Sequence, residues 1–207
     1  MNERDKTYRL AKRVKLTIAC VYVDNYKKND DQGVIAKARE MLDEHNIELA
    51  VWPDGGAKKD GVNTLTYLDI PELEDQDADG NGRGEVKYIP SEDSAYKALR
   101  KAFDKKIKGQ CPFAVPLPVI FCQFVYQGHG VCPPQTKTET NLTRACLISQ
   151  TANPDKVTLL HEMGHAVPTI GDGHSPDGGN FMHVADGRSF MYRFQIERMG
   201  KAMFSVG

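Results

Sequence analysis

NPDKVTLLHEMGHAVPTIGDGHSPDGGNFM, residues Asn153 to Met182, is the stretch whose reading decides both the chemistry and the fold class of this chain. His161 and His165 lie four apart, so on a helix they project from one face, one turn above the other, and two imidazoles can converge on one metal ion. Glu162 emerges beside them, where a carboxylate can take a proton from an activated water. The spelling is HExxH, the pattern of zinc hydrolases. Asn153 can cap this helix and Pro154 suits its first turn, a start that places His161 two turns inside. Leu160, Met163 and Val167 fall on one face, for the core; Val157, His161, Gly164 and His165 share the other. Pro168 ends the helix at or before Val167, because a residue preceding proline is pushed out of the helical region.

A tetrahedral catalytic zinc takes three protein ligands and leaves the fourth position open. Gly171-Asp172-Gly173-His174 offers the third, with two glycines that let the chain turn back. The segment HExxHxx, then Pro168-Thr169-Ile170, then GxxH resembles the signature of the metzincin zinc peptidases with three residues inserted before the glycine. The resemblance implies His161, His165 and His174 as zinc ligands, Glu162 as general base and Gly171 as the turn glycine. Asp172 competes with His174, since carboxylates also bind zinc, and the distant Glu197 is a weaker competitor whose flanks match no glutamate-liganded family. Asn180-Phe181-Met182-His183 is similar to the family's Met-turn, which implies Met182 as packing beneath the metal. Some members carry a tyrosine two residues after that methionine; Val184 stands here, so no such ligand is expected. Phe194 to Met199, FQIERM, resembles the family's closing helix.

Working outward, Val14 to Asp24 (VKLTIACVYVD) is apolar on both alternating faces, as expected of a central strand covered on both sides. Val34 to His45 repeats apolar residues at helical spacing and closes at Asn46, and Ile47 to Trp52 reads as a second strand, so a right-handed strand-helix-strand crossover is expected. Val62 to Leu68 is a weaker third strand. A helix is expected from Ser91 to about Lys106, with Ala95, Ala98, Leu99, Ala102 and Phe103 as its apolar stripe. A strand follows within Phe113 to Tyr126, beginning at Val119 because Pro116 and Pro118 belong to its entrance, and Arg144 to Gln150 forms another. The expected fold class is α/β (α+β), metzincin-like: a mixed twisted sheet with backing helices, the active-site helix, and a small irregular C-terminal lobe ending in a helix. Residues 1–207 form one expected catalytic domain, with an N-terminal lobe at about 14–174 and a C-terminal lobe at about 175–207.

The 27 basic and 28 acidic residues nearly cancel, so no overall field favours nucleic acid or an anionic membrane. No stretch is long and apolar enough to cross a bilayer, and RVKLTIAC is too short for a signal h-region and reads as core strand. Delivery outside the cytoplasm is expected, with any signal removed or carried by something larger; Asn141-Leu142-Thr143 is a glycosylation sequon only in a eukaryotic secretory setting. The five cysteines lack structural-zinc spacing; the four from Cys111 to Cys146 permit one or two disulfides in an oxidising compartment, while a reduced cytosolic chain could equally carry them buried, so cysteine use does not settle the compartment. Asp75 to Glu85 (DQDADGNGRGE) resembles the start of a Ca2+ loop, but the twelfth position is Val86 or Tyr88, depending on register, where glutamate is required. A flexible acidic loop is the favoured reading there. His45, His129 and His183 are read as ordinary surface or core histidines.

The expected function is zinc-dependent hydrolysis of a peptide or protein substrate, as an endopeptidase; the metzincin resemblance implies an extended substrate pairing with an edge strand above the cleft, and Gln127 to Cys132, with the segment just before it, is the candidate for that edge. Two alternatives stay open: a zinc-stabilised binding or toxin-like module without peptidase activity, and a zinc hydrolase of a non-protein amide.

Overall fold

A computed structural model describes residues 7–23, 31–53, 67–68, 94–122, 130–132, 144–149, 157–168, 170, 173–184, 188–202 and 204–206. Strand β1 (Val14–Val23) is the spine of the sheet. Leu16 through Tyr22 are buried without a break; each large apolar side chain so covered contributes about 1.5–3 kcal/mol. Helix α1 (Asp31–Asp43) packs Val34, Ile35, Ala38, Met41 and Leu42 inward. Its exit passes through Asn46 at φ 64, a left-handed conformation that asparagine tolerates better than most residues. The Asn46 Nδ2 donates to the Leu10 carbonyl at 2.9 Å. Strand β2 (Ile47–Trp52) then lies parallel to β1, from Val14↔Ile47 to Ala19↔Trp52.

Strand β3 (Tyr67–Leu68) pairs in parallel with Tyr22 and Val23. Helix α2 (Ser94–Ile107) buries Phe103 and half-buries Ala102; the side chains of Ala95, Ala98 and Leu99 lie outside what is described. Strand β4 (Leu117–Cys122) is parallel to β1 over Ile18 to Tyr22. It begins two residues earlier than the prolines suggest. Pairing with the next strand starts only at Val119, so Pro118 needs no N–H on that side. Strand β6 (Cys146–Ser149) runs parallel to β4, and β5 (Gly130–Val131) closes this side of the sheet antiparallel to β6. The order is β2-β1-β4-β6-β5. Along this path four parallel strands are followed by one antiparallel strand, and with β3 parallel and β7 (Ser205–Val206) antiparallel to β1 the seven described strands make the expected mixed α/β sheet.

The tail returns to the sheet: β7 (Ser205–Val206) pairs antiparallel with Lys15 and Leu16, while the Thr17 N–H and hydroxyl both donate to the Phe204 carbonyl. Helices α3 (Thr158–Ala166) and α4 (Arg193–Met199) complete the described elements. No described helix is long and apolar enough to cross a membrane. None of Cys20, Cys111, Cys132 and Cys146 is in a disulfide. The acidic loop at Asp75 to Glu85, His129 and the sequon at Asn141 lie outside the described residues.

Candidate metal centre

Every residue of α3 is buried, so the helix runs through the protein with side chains packed around it. Its start corrects the expectation drawn from Asn153 and Pro154. Val157 occupies the N-cap without any side-chain cap, and the first intrahelical bond runs from the His161 N–H to the Val157 carbonyl at 2.9 Å. His161 therefore sits one turn inside the helix rather than two. Burial, not a polar cap, holds this helix end, since packing of an enclosed helix outweighs terminal propensity. At the other end Val167 is extended (φ −93, ψ 106), as Pro168 requires. The Val167 N–H reaches the Gly164 carbonyl at 3.1 Å and the Ile170 N–H reaches the Val167 carbonyl at 2.9 Å. Of the inserted residues, Pro168 and Ile170 are described, and Ile170 is held back onto Val167 by that bond. Gly171 and Asp172 lie outside the described residues, and the chain is described again from Gly173.

His174 comes back onto the helix face. The ligand atoms of His161, His165 and His174 all lie within 4.8 Å of one another, the one such cluster among the described residues. His161 Nε2 and His165 Nε2 are 3.2 Å apart, close to the roughly 3.3 Å separation that two ligands of a tetrahedral zinc require at bond lengths of about 2.05 Å. The His161 and His174 rings are stacked at 5.2 Å, and His165 stands edge-on to both. His161 and His165 are buried while His174 is exposed, so the cluster opens to solvent on its third side. His161 Nδ1 donates to the Phe181 carbonyl at 2.8 Å. That bond sets the tautomer and leaves Nε2 as a lone-pair donor directed at its neighbours, the arrangement that metal-ligating histidines adopt. Burial pushes the His161 pKa down to about 3, with Arg188, His165 and His174 acting in the same direction. The ring is consequently neutral, the form that binds metal. The donor set fits zinc.

The support beneath the cluster is built from the segment 175–195. A Cβ at Gly164 would run into Met182 Sδ and come within 2.8 Å of Phe181 Cε2, so the methionine thioether lies directly against the helix between the two histidines. The turn that presents it is held by a pair of buried amides. Asn180 Nδ2 donates to Gln195 Oε1 at 2.8 Å, and Gln195 Nε2 returns a bond to Asn180 Oδ1 at 3.1 Å. Oδ1 also accepts from the Met182 N–H at 3.0 Å, and Gln195 Oε1 from the Tyr192 N–H at 2.8 Å. Sequence reading singled out Met182 but not this Asn180–Gln195 lock. The two residues are fifteen apart with no shared period, and only a buried-polar accounting reveals their need for each other.

Glu162 is buried on the side facing β5. A Cβ at Gly130 would lie 2.9 Å from both Glu162 Cγ and Oε1, so the edge strand presses on the carboxylate's stem and only glycine fits. The Cys132 N–H bonds the carboxylate. Arg144, itself buried, donates from Nη1 to the His165 carbonyl at 2.5 Å and from Nη2 to the Cys132 carbonyl at 3.4 Å, clamping α3 to the edge strand. Burial raises the Glu162 pKa to about 8, against the opposing pull of Arg188, the Cys132 N–H and Arg144. Gly130, Cys132, Arg144 and Arg188 were not foreseen as neighbours of Glu162, because nothing in their spacing links them to it.

The remaining sequence candidates fall away from the cluster. Glu197 accepts from the Tyr8 hydroxyl at 2.8 Å and from Arg193 Nε at 2.9 Å, and takes no part in the metal site. His45 is buried with Nδ1 2.7 Å from the Tyr8 carbonyl, a satisfied core histidine. Val184 is 67% exposed and offers no ligand.

These two shifted groups predict how the metal-free protein responds to pH. His161, lowered from 6.5 to about 3, takes up a proton in the unfolded chain first, so stability is lost as pH falls below 6.5. Glu162, raised from 4.5 to about 8, holds its proton longer in the folded chain, so stability is lost as pH rises from 4.5 towards 8. The two slopes cancel between about 4.5 and 6.5, and the Glu162 slope alone survives above. Metal-free protein should lose about 2 kcal/mol between pH 6.5 and 8. Urea unfolding across that range checks it; Glu162→Gln should flatten the decline, and an unchanged decline would assign it to other groups.

No family model matches the sequence, and no curated protein does either. Among solved structures, an archaemetzincin from Methanopyrus kandleri aligns over 97% of this chain and 98% of that chain, with a TM-score of 0.44 and 14% sequence identity.

Proposed function

We propose that this chain is a zinc-dependent peptide hydrolase, acting as an endopeptidase. One observation carries the reading: three imidazoles converge beside a buried glutamate while the third imidazole, His174, faces solvent. A structural zinc site is closed by four protein ligands, whereas three ligands with an adjacent carboxylate and an open side are the composition of a hydrolytic one. His161, His165 and His174 would hold the zinc, which when bound supplies Lewis-acid polarisation of a carbonyl and lowers the pKa of water. Glu162 accepts the proton of the attacking water and passes it to the leaving amine. Burial favours the uncharged carboxyl, and the positive charge of a bound dication would shift it back towards the base form that the reaction needs. Met182, packed against Gly164, plays the part of a Met-turn methionine, and Gly171 that of the turn glycine.

Strand β5 supplies the substrate's place. Among the described strands it is the last in the order, paired with β6 on one side, and on this reading an extended peptide adds to the other through main-chain hydrogen bonds. Because Gly130 touches Glu162, such a peptide would run past the general base.

The test is the purified protein with its metal content measured, incubated with a diverse peptide mixture and the products read by mass spectrometry. One zinc per chain and internal cleavage, abolished by a chelator, is the expected result. Stoichiometric zinc with no cleavage would overturn the peptidase reading and favour a zinc-stabilised module, and release of terminal residues alone would overturn the endopeptidase assignment.

A further inference from the structure

Two thiols stand behind the general base that the proposed chemistry does not use. The β5–β6 register runs Gly130↔Ile148 and Val131↔Leu147, and one step further it places Cys132 directly opposite Cys146. Directly opposed residues of an antiparallel pair carry their side chains on the same face. Their Cα atoms are about 4.5 or 5.5 Å apart, depending on the type of pair, and both separations fall within the 4.4–6.8 Å that a disulfide bridges without backbone movement. The side chains meet as the register requires: the Cys132 and Cys146 thiols hydrogen-bond each other. Both are free and both are buried, Cys146 completely and Cys132 to 6% exposure. Cys132 is also the residue whose N–H bonds Glu162 and whose carbonyl accepts from Arg144.

We propose that Cys132 and Cys146 are a reversible dithiol–disulfide site that staples the edge strand β5 to β6 beside Glu162. The oxidant is a low-molecular-weight disulfide. The Cys132 thiolate, on the less buried residue, attacks one sulfur of that molecule, forming a mixed disulfide and releasing one thiol. Cys146 then gives up its proton and attacks the Cys132 sulfur, and the second thiol leaves. Two protein thiols are thus oxidised, the small disulfide is reduced to two thiols, and both protons leave with them. Burial pushes the Cys146 thiol well up, so the second step is the slow one. Closing a loop of about 15 residues restricts the unfolded chain, and a cross-link at the strand that contacts the base holds Gly130 and Cys132 against it.

The zinc-loaded protein is incubated with oxidised glutathione or with dithiothreitol, remaining thiols are alkylated, and unreduced peptides are mapped by mass spectrometry. The oxidised sample should yield a Cys132–Cys146 linked peptide, two hydrogens lighter than its parts, with a Tm higher by roughly 6–12 °C that dithiothreitol reverses. Cys132→Ser should abolish both the link and the shift, while Cys111→Ser should leave them intact. A folded protein in which only mixed disulfides form, or in which Cys132 and Cys146 both remain alkylatable after exhaustive oxidation, would overturn the proposal. None of these readouts depends on hydrolysis, so the outcome is separate from that of the peptide-cleavage test.

Discussion

On the proposed mechanism, Glu162→Gln protein should retain its zinc but hydrolyse peptides about 10²–10⁴-fold more slowly than wild type, the range that loss of a positioned general base produces. The substitution is nearly isosteric, and it is informative because of where the side chain sits. Glu162 is buried between Gly130, whose Cα leaves room only for its stem, and the N–H of Cys132. A glutamine amide fills the same space and keeps its oxygen on that N–H. Since the three imidazoles are untouched, metal content measured beside kcat/KM separates loss of the base from loss of the ion. A variant that keeps both zinc and the wild-type rate would remove Glu162 from the mechanism.

If His165 is a zinc ligand, the zinc affinity of His165→Ala protein at pH 7 should fall by more than the 10–100-fold that loss of an outer-shell partner causes. His165 Nε2 stands 3.2 Å from His161 Nε2, so its removal leaves one buried imidazole and the exposed His174 to hold a dication. The backbone should survive, because the His165 carbonyl still accepts from Arg144. A thermodynamic readout accompanies the loss. Free zinc at 100 times its Kd stabilises wild type by about 2.7 kcal/mol, and the variant should show no such gain in urea unfolding. Equal stabilisation of both proteins by zinc would place the metal elsewhere.

The elements legible in the sequence were those whose signal is local and strong. VKLTIACVYV is apolar on both faces and lies at the centre of the sheet, with neighbours on each side. The α1 periodicity gave the right buried face, with the helix running Asp31–Asp43 rather than Val34 to His45; such ends move by a turn because the last hydrogen bonds contribute little. Short strands were harder. β7 has two residues and no pattern of its own, and exists because Ser205 and Val206 meet β1 at Lys15 and Leu16, before the β1–β4 pairing begins at Ile18. The same limit explains the start of α3. Asn153 and Pro154 are good signals for a beginning, yet the helix begins at Thr158, where the β6 connection delivers it and burial holds it.

By itself the sequence determined that His161, Glu162 and His165 share one turn of helix, because helical geometry converts a spacing of four into proximity whatever the rest of the chain does. It also determined that the helix must end by Val167, because proline forbids continuation. Only the tertiary structure decided that His174 reaches those two histidines, since a position nine residues beyond His165 and past the helix end is not placed by helical geometry. Likewise tertiary contact alone brought the Phe181 carbonyl to His161, the Asn180–Gln195 pair beneath the site, and Gly130 and Cys132 against Glu162. These groups come from separate elements with no common period, and buried polar atoms find their partners in space rather than along the chain.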